Sequence, residues 1–206
     1  MSTIKSPFVQ FPALNTKRLR LRHLRPEDDE AIFAYKSGKN EPQFPRIDRH
    51  EDLSESQQFI AQCLQKYYSR SAIYWAITVA PEDAVIGTVA LSAMHGDPRI
   101  DYRAEISCVL SPDYRRKGIM TEARIAIINY AFRSWQGLRR IHSEIALDNK
   151  PSLQMNLKLG FTEEGILRNY QRGDDGTFTN IRILSLLRSD WETHSLYPNE
   201  QVNLHS

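Results

Sequence analysis

AEISCVLSPDYRRKGIMTEAR, residues 104–124, changes its apolar period halfway along. Its first seven residues alternate, with Ala104, Ile106, Cys108 and Leu110 on one face and Glu105, Ser107 and Val109 on the other, which predicts a strand. From Met120 the spacing turns helical. Ala123, Ile127, Ile128, Ala131 and Phe132 continue it around most of the circumference, which predicts a largely buried helix from Gly118 or Ile119 to about Ser134. Between strand and helix stand Arg115, Arg116, Lys117 and Gly118. Amides at a helix start have no acceptor within the helix and lie at the positive end of its dipole. Three cations and a glycine that permits close approach make this turn an anion site, suited to phosphate.

Upstream, Leu19–Leu24 alternates as a strand, and Arg25-Pro26-Glu27-Asp28-Asp29 opens a helix that stops near Gly38. Lys39–Asp52, with Pro42 and Pro45, reads as a loop. A second helix starts at Ser54 and carries Phe59, Ile60, Cys63, Leu64 and Tyr67 at helical spacing. Ile73–Val79 and Val85–Leu91 flank Ala80-Pro81-Glu82-Asp83-Ala84, a hairpin pattern. Downstream, Arg140–Leu147 is a strand, and Asn149-Lys150-Pro151-Ser152 opens a helix that Gly160 ends. Thr162–Gln171 and Phe178–Leu187 form two last strands around Gly173–Gly176, and a polar tail from Asp190 is expected to be loose.

The order implies an α/β fold whose mixed, mostly antiparallel central sheet has about seven strands flanked by about four helices. One domain over residues 16–191 is expected, with an extended arm (1–15) before it and a polar tail (192–206) after it. A dinucleotide fold fits less well, because GxGxxG is absent and helices are missing between Ile73 and Leu110.

A chain of 206 residues, 41% hydrophobic, can bury a core. Its net charge of +2 argues against a nucleic-acid binder, and Lys17, Arg18, Arg20 and Arg22, followed by Glu27–Glu30, read as a solvated face. Two cysteines without a CxxC argue against structural zinc or a disulfide framework and fit a reducing compartment. The N-terminus lacks the apolar core of a signal peptide, and no run approaches the about 20 apolar residues of a membrane span. A soluble cytoplasmic protein with no membrane partner is expected.

Two further segments match a known pattern. Arg115-Arg116-Lys117-Gly118-Ile119-Met120, then Asn149-Lys150-Pro151-Ser152 with Lys158-Leu159-Gly160-Phe161, resemble the Gcn5-related N-acetyltransferase (GNAT) superfamily. Glu164-Gly165, Leu186-Leu187 and Asp190-Trp191 are similar to the branch that acetylates ribosomal-protein N-termini (RimJ/RimL-like). The likeness spans roughly Thr16–Trp191. Met120 stands where the family has Gly or Ala, and Ile106-Ser107-Cys108 follows Glu105 where the branch has Ile-Gly-Tyr.

The resemblance implies a GNAT-like fold and an N-acetyltransferase that uses acetyl-CoA as co-substrate, without a metal. The acceptor would be a primary amine (a protein N-terminus, an amino acid, a polyamine or another small amine), attacking directly in a ternary complex. The main chain of Arg116–Met120 (Arg116, Lys117, Gly118, Ile119, Met120), helped by the Arg115 and Arg116 side chains, would hold the pyrophosphate. A backbone amide at Val109 or Leu110 would polarise the thioester carbonyl, and Asn149 would bond the pantetheine arm or the main chain. Glu105 is the first candidate for the base, with His142 and Glu144 as a second pair. Ser152 would steady the leaving thiolate. Each has a plainer alternative: Glu105 as a partner of Arg103, and Asn149 or Ser152 as a helix cap. Cys108, on the apolar side, is expected to be inert. A catalytically idle acyl-CoA binder is the competing function, and edge strands leave a homodimer open. The acceptor side would be shaped by Lys39–Asp52, the second helix and the Gln171–Phe178 hairpin.

Overall fold

Alternating Leu19, Leu21 and His23 put every second side chain of a short strand inward, and the same arithmetic builds the whole sheet. A computed structural model describes residues 8–37, 49–94, 102–173 and 176–197. Its strands are β1 (Leu14–Asn15), β2 (Leu19–His23), β3 (Ile73–Val79), β4 (Gly87–Ser92), β5 (Arg103–Leu110), β6 (Arg140–Ala146), β7 (Thr162–Arg172) and β8 (Phe178–Leu187). They form one sheet in the order β1-β2-β3-β4-β5-β6-β8-β7. Neighbours are antiparallel except β5 and β6, which are parallel and joined by a helical crossover. The helices are α1 (Asp29–Lys36), α2 (Leu53–Tyr68), α3 (Ile119–Ser134), α4 (Lys150–Lys158) and α5 (Arg188–Thr193).

Both faces of β3 are covered. Ile73, Trp75 and Ile77 enter a large core with α3, whereas Ala76 joins Leu24, Ile32, Ile60, Cys63 and Val85 in a smaller one beneath α1 and α2. Asp52 caps α2 by accepting from the Glu55 amide at 3.2 Å. Among the described residues, no helix is long and apolar enough to cross a membrane.

Several expectations change. Residues 14–15 of the expected arm pair with β2 as an eighth strand. β4 starts at Gly87 rather than Val85, although Val85 and Ile86 stay buried. The expected loose tail holds α5 and the fully buried Tyr197, whose hydroxyl donates to the Leu159 carbonyl at 2.7 Å. Arg22 does not belong to a solvated face. It is 4% exposed and reaches both carboxylate oxygens of Asp28 at 2.9 and 2.8 Å, while its Nε donates to Asp83. The pair lifts the Arg22 pKa further, through the Asp28 hydrogen bonds first, against the opposing effect of burial. Most of the expected loop Lys39–Asp52 (38–48), the arm's first seven residues, the turn residues 174–175 and the tail beyond Tyr197 lie outside the described residues.

β5 and β6 pair over only part of their length. Their ladder has three rungs, Arg103–Arg140, Ala104–Ile141 and Glu105–His142, and then stops, although β5 runs on to Leu110 and β6 to Ala146.

Candidate active site

The wedge between the parted strands exposes main chain on both edges. Ser111 N–H donates to the Ile86 carbonyl on the β4 side, so alternation turns Ile106, Cys108 and Leu110 the other way, toward the wedge. Arg140 N–H donates to Tyr102 on the β5 side, so Glu144 and Ala146 face the wedge from β6. Of the two amides expected to meet a thioester carbonyl, Leu110 therefore points into the gap, and Val109 points to β4. The Ala146 carbonyl is taken by the Asn149 amide. A cavity of about 330 Å³ fills the wedge and reaches the α1–α2 face, where Phe59 and Tyr74 line it.

At one end lies the basic turn. Arg116 (φ 60°) and Gly118 (φ 74°) are both left-handed, and Gly118 is the N-cap of α3. The Gly118 carbonyl accepts from Glu122 N–H and opens the helix, leaving the preceding amides without helical acceptors. Arg18 braces the turn: Nη1 donates to the Lys117 carbonyl at 3.0 Å, and Nε to Glu122 at 2.7 Å. Burial pushes the Glu122 carboxyl up, but hydrogen bonds from Thr16 and Arg18 outweigh it and hold the group below its ordinary value. Arg115 folds back so that Nε donates to the Leu110 carbonyl at 3.2 Å, while Arg116 and Lys117 are exposed. Met120 is half-buried and packs against the main core rather than over the turn.

At the crotch of the wedge, the last rung sets Glu105 beside His142, with Glu144 two residues on. One ligand-type atom from each of the three lies within 4.8 Å of the others. Burial, then the Arg140 charge, lowers the His142 pKa from 6.5, so the imidazole is neutral at pH 7. Glu144 accepts from the Tyr170 hydroxyl at 2.9 Å, a contact from β7 that no local pattern signals.

At the other wall, Asn149 takes the capping role, its Oδ1 accepting from Ser152 N–H at 3.1 Å. The cap does not use the Ser152 hydroxyl, and both residues line the cavity. Asn156 Nδ2 donates to the Ser152 carbonyl at 2.8 Å, and its Oδ1 accepts from Arg124 Nη2 at 2.8 Å. Arg124 is 1% exposed and also lines the cavity. Sequence reasoning passed over it; the available signal was an arginine set between Ala123 and Ile125 in an apolar helix. Cys108 packs against the main core, as its place on the apolar side predicts. It lines the cavity in hydrogen-bond contact with Arg124, and burial holds its thiol up and protonated.

The Acetyltransferase (GNAT) domain family matches residues 18–162. The chain belongs to the GNAT acetyltransferase family. Among its relatives is YoaA, an uncharacterized N-acetyltransferase of Bacillus subtilis, 32% identical over 178 residues that cover 86% of this chain and 98% of YoaA. The GNAT fold is shared with a structure from Chromobacterium violaceum (TM-score 0.76, 20% identity, covering 89% of this chain and 90% of that one). It is shared equally with Mycobacterium smegmatis RimJ, solved in complex with CoA-disulfide (TM-score 0.72, 20% identity, coverage 89% of each). As a GNAT protein, the chain is an acetyl-CoA-dependent acyltransferase.

Proposed function

We propose that the protein acetylates a primary amine by direct attack on acetyl-CoA bound along the wedge. The observation that carries this is the arrest of the β5–β6 ladder at Glu105–His142, which leaves main-chain donors and acceptors open beside a base cluster. The coenzyme's amide arm would bond the wedge-facing main chain of Ile106, Cys108 and Glu144. Its pyrophosphate would meet the amides of residues 116–120, with Arg116 and Lys117 adding charge. A β5 amide that faces the wedge would receive the carbonyl oxygen.

The acceptor approaches from the α1–α2 face. A protein N-terminus has a pKa of about 7.7–8.0 and an alkylamine about 10.4, so at pH 7 most of either must lose a proton before attack. Glu105 is assigned as that base, with neutral His142 and Glu144 beside it. These three groups are also metal-ligand types. We assign them to proton transfer, because the main chain supplies carbonyl polarisation and the ammonium still needs a base. Activity is expected to survive EDTA.

Free thiol released from acetyl-CoA across a panel of N-terminal peptides, amino acids and polyamines tests the reading. Tight coenzyme binding without thiol release on any amine would favour the idle binder instead.

A further inference from the structure

The wedge holds a charge that the roles above do not use. Arg124 rises from α3 to the cavity at 1% exposure, and among the described residues no carboxylate pairs with it. Its Nε has no hydrogen-bond partner, one Nη bonds the neutral Asn156, and the Phe161 ring lies 5.2 Å from the guanidinium carbon. The groups facing it are the Cys108 thiol from β5, the Asn156 amide from α4, Phe161, and the Tyr197 hydroxyl, which is committed to Leu159. Glu105, His142, Glu144 and Lys36 line or border the same cavity farther out. A guanidinium remains charged in a protein, and burying one without an anion is costly. The Asn156–Ser152 link also ties it to the wall that carries the Ser152 hydroxyl.

We propose that Arg124 is a catalytic residue whose charge stabilises the coenzyme thiolate as it leaves. The inference rests on the coenzyme lying in the wedge as proposed above. The neutral amine nitrogen adds to the thioester carbonyl carbon, and the oxygen gathers charge at a β5 amide that faces the wedge. The carbon–sulfur bond then breaks, its electron pair stays on sulfur beside Arg124, and the second amine proton passes to solvent, Glu105 already holding the one taken before attack. Amide, coenzyme thiolate and protonated base are the products, and solvent later reprotonates the sulfur. A cation with no carboxylate paired to it among the described residues, which meets an anion only as the bond breaks, lowers the barrier rather than tightening substrate binding.

The test follows the thiolate absorbance of bound CoA against pH, with desulfo-CoA as blank and Cys108→Ala as background to remove the thiol beside Arg124; the other thiol, Cys63, is pushed up to about 12 by burial and stays protonated. The bound thiol is expected to titrate about 1 pH unit or more below free CoA. Arg124→Met should abolish that shift, and Arg124→Lys should keep part of it. With acetyl-CoA, Arg124→Met should lower kcat about 100-fold while KM for the coenzyme stays within about threefold. A bound thiol that titrates like free CoA overturns the proposal without any Arg124 variant, so a misfolded Arg124→Met leaves the test decisive. An Arg124-dependent preference for succinyl-CoA over acetyl-CoA overturns it as well, since the charge would then serve an acyl carboxylate. Should neither CoA nor desulfo-CoA bind at all, the coenzyme site itself is wrong; should CoA bind with its thiol unshifted, only the role of Arg124 fails.

Discussion

Glu105 sits on the last rung before β5 and β6 part, beside His142 and Glu144, and the base role proposed for it has a direct test. Glu105→Gln is expected to cut kcat/KM at pH 7 by about 10²–10⁴-fold while leaving acetyl-CoA affinity nearly unchanged in calorimetry. The deficit should shrink as the pH rises toward the amine's own pKa, because free amine then no longer needs the base. His142 adds a second constraint. Its pKa lies below 6.5, so the imidazole stays unprotonated through neutrality and no activity should be lost to it between pH 7 and 8. A His142 imidazole titration, followed by NMR, centred above its ordinary 6.5 would contradict that placement. The opposite wall was half legible. Asn149 showed as a cap from its position before Lys150-Pro151, but the Arg124–Asn156 bond joins residues 32 apart and left only a misplaced charge in the sequence.

The start of α3 depends on backbone shape and on an anchor from far upstream. At Gly118 an added Cβ would meet only Arg18 Nη2 at 3.5 Å, so the obstacle to a side chain is the φ of 74° and not crowding. Gly118→Ala should therefore cost about 1–2 kcal/mol in stability and weaken coenzyme binding, whereas Gly118→Asn should cost less, because asparagine tolerates left-handed backbone. Chemical denaturation and calorimetry on the two variants check the order. Glu122 ties the same turn to Thr16 and Arg18. Its folded pKa is depressed, so its contribution is present above the unfolded carboxylate range and is lost as pH falls through the folded value. Glu122→Gln should be less stable than the parent at pH 7, by about 1 kcal/mol for so exposed a partner as Arg18, with the gap closing in acid. The helix and its glycine were readable from period and composition. Its bracing was not, since Arg18 and Glu122 are 104 residues apart.

At the scale of the molecule, local periodicity was enough for β2, β3, β5, β6, β8 and the body of α3, because each buries one or both faces in the expected rhythm. It was not enough for β1, α5 or Tyr197, whose order comes from partners elsewhere. Leu14–Asn15 is too short to show a rhythm, and Tyr197 looks like an isolated aromatic in a polar tail until Leu159 is placed against it. Tyr197→Ala is expected to cost about 3–5 kcal/mol in urea unfolding, the range for emptying a large aromatic site. Tyr197→Phe should cost about 1 kcal/mol, because it leaves the buried Leu159 carbonyl without its donor.

With only three rungs joining its two leaves, the sheet is left open where the co-substrate is proposed to lie, and an occupant bonding both edges would stitch it shut. Amide exchange at Ile106, Cys108 and Leu110 should then slow when acetyl-CoA is added, and the melting temperature should climb with its concentration. Inside a cell, such a catalyst would survive proteases longest when its own feedstock is plentiful and would be cleared soonest in starvation.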